Sequence, residues 1–220
     1  MATVTQQAAP QRLVLTNVDW KTYSRLLRLF AGRRSIRLSY DRGVLEIMSP
    51  LLEHESDARF LGWLVVALAD ELGLTIKVGG STTFRRRRLR RGLEPDDSYW
   101  IAHEPQVRGK RQIDLRVDPP PDLAIESDVT HSSVNRMGIY AALGVPEVWR
   151  IDNRVLTFHV LGANQRYAVA ANSLSFPTIT PADLVPFLAM RGPQFAENDI
   201  VRQFRVWLRH RITSGGSATP

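Results

Sequence analysis

The chain has 220 residues, 44% of them apolar and 23% charged, with a formal net charge of +7 and no cysteine. Its length suits one domain with a full core, and no apolar run reaches the roughly 18 to 20 residues of a membrane-crossing helix. Disulfides and cysteine-ligated zinc are excluded, which makes the cytoplasm the expected compartment.

The opening MATVTQQAAPQR lacks a basic segment followed by an apolar core, so residues 1–12 read as a flexible polar tail and not as a signal peptide. NVDWKTYSRLLRLF offers Asn17 as a cap and spaces Trp20, Tyr23, Leu26, Leu27 and Phe30 as an amphipathic helix. SIRLSY, DRG and VLEIMSP predict a hairpin closed by Pro50. A long helix follows in EHESDARFLGWLVVALADELG and stops at Gly73, with Phe60, Leu61, Leu64, Val65 and Leu68 on one face. The stripe Trp63, Leu64, Val66 and Ala67 reads as core or as a dimer interface. LTIKVGGSTTF reads as a strand interrupted by glycines.

The net charge is almost wholly arginine, since Lys21, Lys77 and Lys110 are the only lysines. Arg85, Arg86, Arg87, Arg88, Arg90 and Arg91 crowd one short stretch, where guanidinium groups repel one another unless solvated or matched by anions. A loop facing phosphates is the expectation, because the guanidinium fork suits them.

SYWIAHE and PDLAIESDVT read as two further strands separated by the turn-prone DPPPD. Side-chain alternation sends Asp122, Ala124, Glu126 and Asp128 to one face of the second strand and Leu123 and Ile125 to the other. Acids clustered on a sheet face raise one another's pKa, a cost that a bound Mg²⁺ or Mn²⁺ removes. SSVNRMGIYAALGV is the next helix, capped near Ser132 or Ser133 and stopped at Gly144. EVWRID, VLTFHVL and RYAVAAN predict a three-stranded meander at the sheet edge. TPADLVPFLAM and ENDIVRQFRVWLRHRI supply a short helix and a longer one, and residues 213–220 a second flexible tail. The order is α/β, in one domain over residues 13–212.

The strings LEIMSP with EHE after it, GLEPDDSYWI, PDLAIESDVTHSS and IYAALGVPEVWRID occur in this order over roughly residues 13 to 160. Together they resemble the restriction endonuclease domain family, formerly a domain of unknown function, within the PD-(D/E)XK nuclease superfamily. The resemblance implies a restriction-endonuclease-like core (α-β-β-β-α-β), here with an N-terminal helix and hairpin, extra edge strands and a C-terminal helix. It also implies a Mg²⁺ or Mn²⁺ ion held by Asp96 and Glu126, with Glu53 or His54 holding the metal's water or closing its outer shell. The activity implied is metal-dependent hydrolysis of DNA phosphodiester bonds.

Two positions after Glu126, where the superfamily places lysine, stands Asp128. The family commonly moves its basic residue to the following helix, which here corresponds to Arg136. Arginine can neutralise the charge on a phosphorane but, with a pKa above about 12, is a poor proton shuttle. Lys77 is the other donor from the core.

Singly, Asp96 reads as a turn acid after Pro95 and Glu126 as a buried acid paired with arginine; together and in this order they read as ligands. Asp128 fits a ligand and a helix cap equally. Asp122 and Glu94 read as turn and surface acids, and Tyr140 and Trp149 as core. An inactive nuclease-fold module binding nucleic acid or a protein is the alternative, supported by Arg136 in place of lysine. A phosphatase has no phosphate-cradling glycine loop behind it, since VGGSTTF lacks the GxxxxGK[ST] form. The expected partner is nucleic acid, with no membrane, and cutting both strands would favour a homodimer.

Overall fold

The computed structural model describes residues 11–33, 36–49, 52–127, 132–152 and 155–215. Strand β1 (Gln11–Leu15) is the first described element, so the expected tail gives up its last two residues to a sheet edge. Helix α1 (Trp20–Leu29) follows. Its cap is Asp19 and not Asn17: the Asp19 carboxylate accepts from the Thr22 amide at 2.7 Å, while Asn17 is occupied in a left-handed bend at φ 57°. The predicted hairpin is β2 (Arg37–Asp41) and β3 (Val44–Ser49). Arg42 and Gly43 both have positive φ, the geometry of a tight two-residue turn, and Arg42 tolerates it beside a permissive glycine.

Helix α2 (Leu52–Glu71) leads to a two-residue strand β4 (Lys77–Val78). The arginine-rich stretch is not a free loop. It is a second hairpin, β5 (Phe84–Arg86) and β6 (Arg91–Leu93), joined through a short 3₁₀ turn. Strand β7 (Asp97–Trp100), a single-turn helix α3 (Glu104–Val107) and β8 (Leu123–Ser127) come next. Helix α4 (Arg136–Leu143) is capped by Asn135, whose side chain accepts from the Gly138 amide, beyond the expected Ser132 or Ser133. Gly144, at φ 82°, ends it in the left-handed conformation that glycine adopts without strain. The meander is β9 (Glu147–Asp152), β10 (Val155–Leu161) and β11 (Tyr167–Ala170), and the last helices are α5 (Pro181–Ala189) and α6 (Glu197–Gly215).

The strands form two sheets. One has the order β1-β3-β2-β6-β5 and the other β11-β10-β9-β8-β7-β4. In the second, β8 and β9 run parallel with α4 as their crossover, and α2, β4, β7, β8, α4 and β9, with the β5–β6 hairpin and α3 inserted among them, supply the expected α-β-β-β-α-β core.

Both faces of the central strands are buried. Leu123 and Ile125 pack with Tyr99, Trp149 and Phe158 against α2, α5 and α6. Ala124 and Val148 pack with Trp100 against Ile139, Tyr140 and Leu143 of α4 and against Phe84 and Leu93 of the other sheet. The face expected to be acidic is therefore interior, and Glu126 is only 2% exposed there.

Candidate active site

The site is built where β7 begins and β8 ends. Their antiparallel register begins with Asp97 opposite Ile125, and just before it the Asp96 amide donates to the Ile125 carbonyl at 3.2 Å, which sets Asp96 beside the end of β8, close enough for its charge to act on Glu126. Asp96 finishes the ladder with its side chain: Oδ2 accepts from the Ser127 amide and hydroxyl, both at 2.7 Å. Asp97 points the other way, accepts from the Tyr99 hydroxyl at 2.6 Å, and has its carboxyl pushed up by burial under α2.

Glu126 meets three donors. Arg136 reaches it through Nη2 to Oε1 at 2.5 Å and Nε to Oε2 at 3.1 Å, and Tyr140 donates its hydroxyl to Oε1. Arg136 and Tyr140, which supply them, are four residues apart and share one face of α4. Arg136 also donates to the Ser39 hydroxyl on β2 and, at 2.9 Å, to the Glu94 carbonyl, so this single side chain ties α4 to both sheets. Burial, with the negative charge of Asp96, pushes the Glu126 carboxyl up to about 7 against the pull of Arg136. Burial works against the Arg136 charge, but Glu126, Tyr140 and Asp96 more than offset it and raise its pKa. Burial also drives the Tyr140 hydroxyl far up. Asp96, Glu126, Arg136 and Tyr140 are thus one electrostatic unit.

A further carboxylate supports the approach to α4. Glu46 on β3 is 1% exposed, accepts from the Ser132 hydroxyl at 2.8 Å and the Ser133 amide at 2.7 Å, and lies 3.7 Å from Arg12.

Of the sequence-predicted residues, Asp96, Glu126 and Arg136 come together. Lys77 does not join them: it pairs with Trp100, about 13 Å along β7 from Asp96, and its Nζ donates to the Lys110 carbonyl. Glu53 and His54 lie in the first turn of α2, with side chains outside the described residues, as is Asp128 altogether. Within the arginine hairpin, Arg85, Arg87, Arg88 and Arg90 are exposed and Arg86 is half-buried. Arg91 is tied to Asp41 at 2.8 Å. Sequence reasoning left Tyr140 in the core and passed over Ser39, Glu46 and Ser127. The spacing from Arg136 to Tyr140 was the one available signal, being a single helical turn.

The donors available to a metal are oxygens, as a hard cation requires. Asp96 Oδ1 has no hydrogen bond among the described residues, and the repulsion between Asp96 and Glu126 is what a cation would relieve. Against this, Glu126 is already held by Arg136 and Tyr140, and no group of three metal-binding side chains occurs among the described residues. The pair fits part of a coordination sphere.

The Uma2 family, described as "Putative restriction endonuclease", matches residues 20–191. The chain belongs to that family. It is also similar to a crystal structure described as "a putative nuclease belonging to DUF820 from Anabaena variabilis ATCC 29413", with 17% identity over 69% of this chain and 90% of that one and a TM-score of 0.48. No curated protein matches the chain significantly. The family match spans every residue of the acid cluster, from Ser39 to Tyr140. Among the described residues, no helix is long and apolar enough to cross a membrane.

Proposed function

We propose that this chain is a divalent-metal-dependent DNA endonuclease of the PD-(D/E)XK type. The observation that carries the reading is the charge of Asp96 acting on the buried Glu126 at the junction of β7 and β8, with a buried arginine reaching the same Glu126 carboxylate. Asp96 and Glu126 would hold Mg²⁺ or Mn²⁺, with Asp128 and Glu53 or His54 completing its shell. The ion would supply a water of lowered pKa, able to attack phosphorus.

The chain's own groups have separate tasks. Ser127 fixes the Asp96 carboxylate through its amide and hydroxyl on Oδ2, leaving Oδ1 without a hydrogen bond among the described residues. Tyr140 and Arg136 hold Glu126 in one orientation, and Arg136 places a permanent positive charge beside it for a phosphorane. Exposed arginines of the β5–β6 hairpin grip the backbone without reading bases. Cutting both strands would take two copies.

The test is nicking of supercoiled plasmid in magnesium by the wild type, Asp96→Asn and Glu126→Gln, each checked by circular dichroism. The wild type nicks and both variants lose all magnesium-dependent activity. Equal activity in the three rejects the assignment.

A second reading, an inactive module on the same fold, is favoured by the engagement of both Glu126 oxygens with Arg136. Calorimetric titration with Mn²⁺ separates the two. The enzyme binds the ion and Asp96→Asn abolishes the heat, whereas the module gives none.

A further inference from the structure

Beyond the acid cluster, three hollows of about 290, 570 and 400 Å³ adjoin one another. Thr83 lines all three; Leu27 and Ala31 join the first to the second, and Arg28 and Arg85 join the second to the third. They make one trough between α1, strands β4 and β5, and residues 110–116. Its first end is lined by Glu94, whose carbonyl accepts from Arg136, so the trough starts beside the cluster and leads away from it.

The walls carry a surplus of cations. Lys110 and Arg116 are matched by Asp118 and Asp114. Arg28, Arg87 and Arg111 make no side-chain hydrogen bond or ion pair among the described residues, and the buried Nε of Arg86 has no partner there. Unmatched guanidinium groups that line one concavity repel one another until an anion enters. Apolar surface alternates with this charge: Phe30 lines the first hollow, Ile113 the second and third, and Trp20 the third, all half-buried with part of their surface open. Cations alternating with apolar surface that includes the aromatic rings of Phe30 and Trp20 suit a single strand, with phosphates on the cations and bases on the rings. A duplex keeps its bases stacked and paired, with only their edges open in the grooves, and so has no free base faces to set against these side chains.

We propose that this trough binds a single nucleic-acid strand, with phosphates on Arg28, Arg85, Arg87 and Arg111 and bases against Phe30, Ile113 and Trp20. The proposal takes its substrate class from the nuclease reading but needs neither metal nor cleavage. It assigns the flanking strand of the substrate a path that the acid cluster does not provide.

The test is fluorescence anisotropy in EDTA with labelled oligothymidine of about 12 nucleotides, a length suited to such grooves, and a duplex of equal length. The wild type binds the single strand more tightly than the duplex. Arg28→Glu with Arg111→Glu weakens single-strand binding about tenfold or more and lowers the salt slope by about 1.4, two phosphate contacts at about 0.7 each. Arg166→Glu with Arg202→Glu, at the far sheet edge and on α6, makes the same charge change and leaves most of the affinity. If the trough reversal disturbs the melting temperature, Arg28→Gln with Arg111→Gln is read in its place. Unchanged binding in the trough variant, or equal losses in the two pairs, overturns the proposal. Trough-dependent binding without magnesium-dependent nicking instead sinks the nuclease reading and leaves the trough standing.

Discussion

Glu126 and Glu71 each receive two side chains that hold a helix in place, and arginine is prominent in both sets. Glu126 takes Arg136 and Tyr140 from α4, and Glu71, at the end of α2, takes Arg205 and Arg209 from α6. Yet the Glu126 carboxyl is pushed up to about 7, while that of Glu71 is held down to about 2. For Glu126 the largest influence is burial; for Glu71 it is the hydrogen bond from Arg209, itself 64% exposed. An arginine alone therefore does not make a strong acid. Water around the pair decides, and a dry carboxylate retained beside a second acid is the arrangement common at functional sites.

The largest effect should come from breaking the dry pair on one side. Arg136→Ala leaves Glu126 buried without its cation and should cost about 3–5 kcal/mol, read from the urea midpoint. Arg136→Met combined with Glu126→Gln removes both charges and should recover more than half of that loss. A single-variant cost below about 1 kcal/mol would mean that water reaches the pair.

That pair also marks the limit of what the sequence could tell. Asp96, Glu126 and Arg136 were legible because each stands in a short motif, and strand alternation alone placed Glu126 with Ala124. The helices α2, α4, α5 and α6 and the meander followed from apolar spacing with Gly144 and Gly73 as stops. Other features depend on distant partners. Strand β1 is seen as a strand only through its pairing with β3, and the arginine stretch becomes a hairpin because Tyr40 and Asp41 of β2 accept Gly92 and Arg91 as neighbours. Ser39 and Glu46 enter the site for the same reason, since nothing local indicates that the hairpin will face α4. The caps moved inward because Asp19 and Asn135, not their neighbours, stand where the first turn's free amides point.

The next effect is a pH slope. Between its ordinary value of 4.5 and about 7, Glu126 keeps a proton in the folded state that the unfolded chain has released. Its contribution to stability is therefore complete below 4.5 and is lost as the pH rises through about 7. The unfolding free energy of the wild type should fall between pH 5 and 8, and that of Glu126→Gln should fall less. Parallel curves for the two proteins would show that the carboxyl is already ionised across this range.

The smallest effect belongs to Glu71, and its sign is opposite. Its depressed pKa means that the stabilisation is present above 4.5 and is lost as the pH falls through about 2. Glu71→Gln should lower neutral-pH stability by no more than about 1 kcal/mol, because ion pairs with exposed partners contribute little, and should flatten the acid limb between those values by the same amount. Salt separates the two clusters further. At about 1 M salt, where screening extends only about 3 Å, the Glu71 contribution should shrink while the loss caused by Arg136→Ala stays the same. A buried pair excludes the counter-ions that screen an exposed one, so equal salt sensitivity in both would contradict the difference in solvation on which the opposite pKa shifts depend.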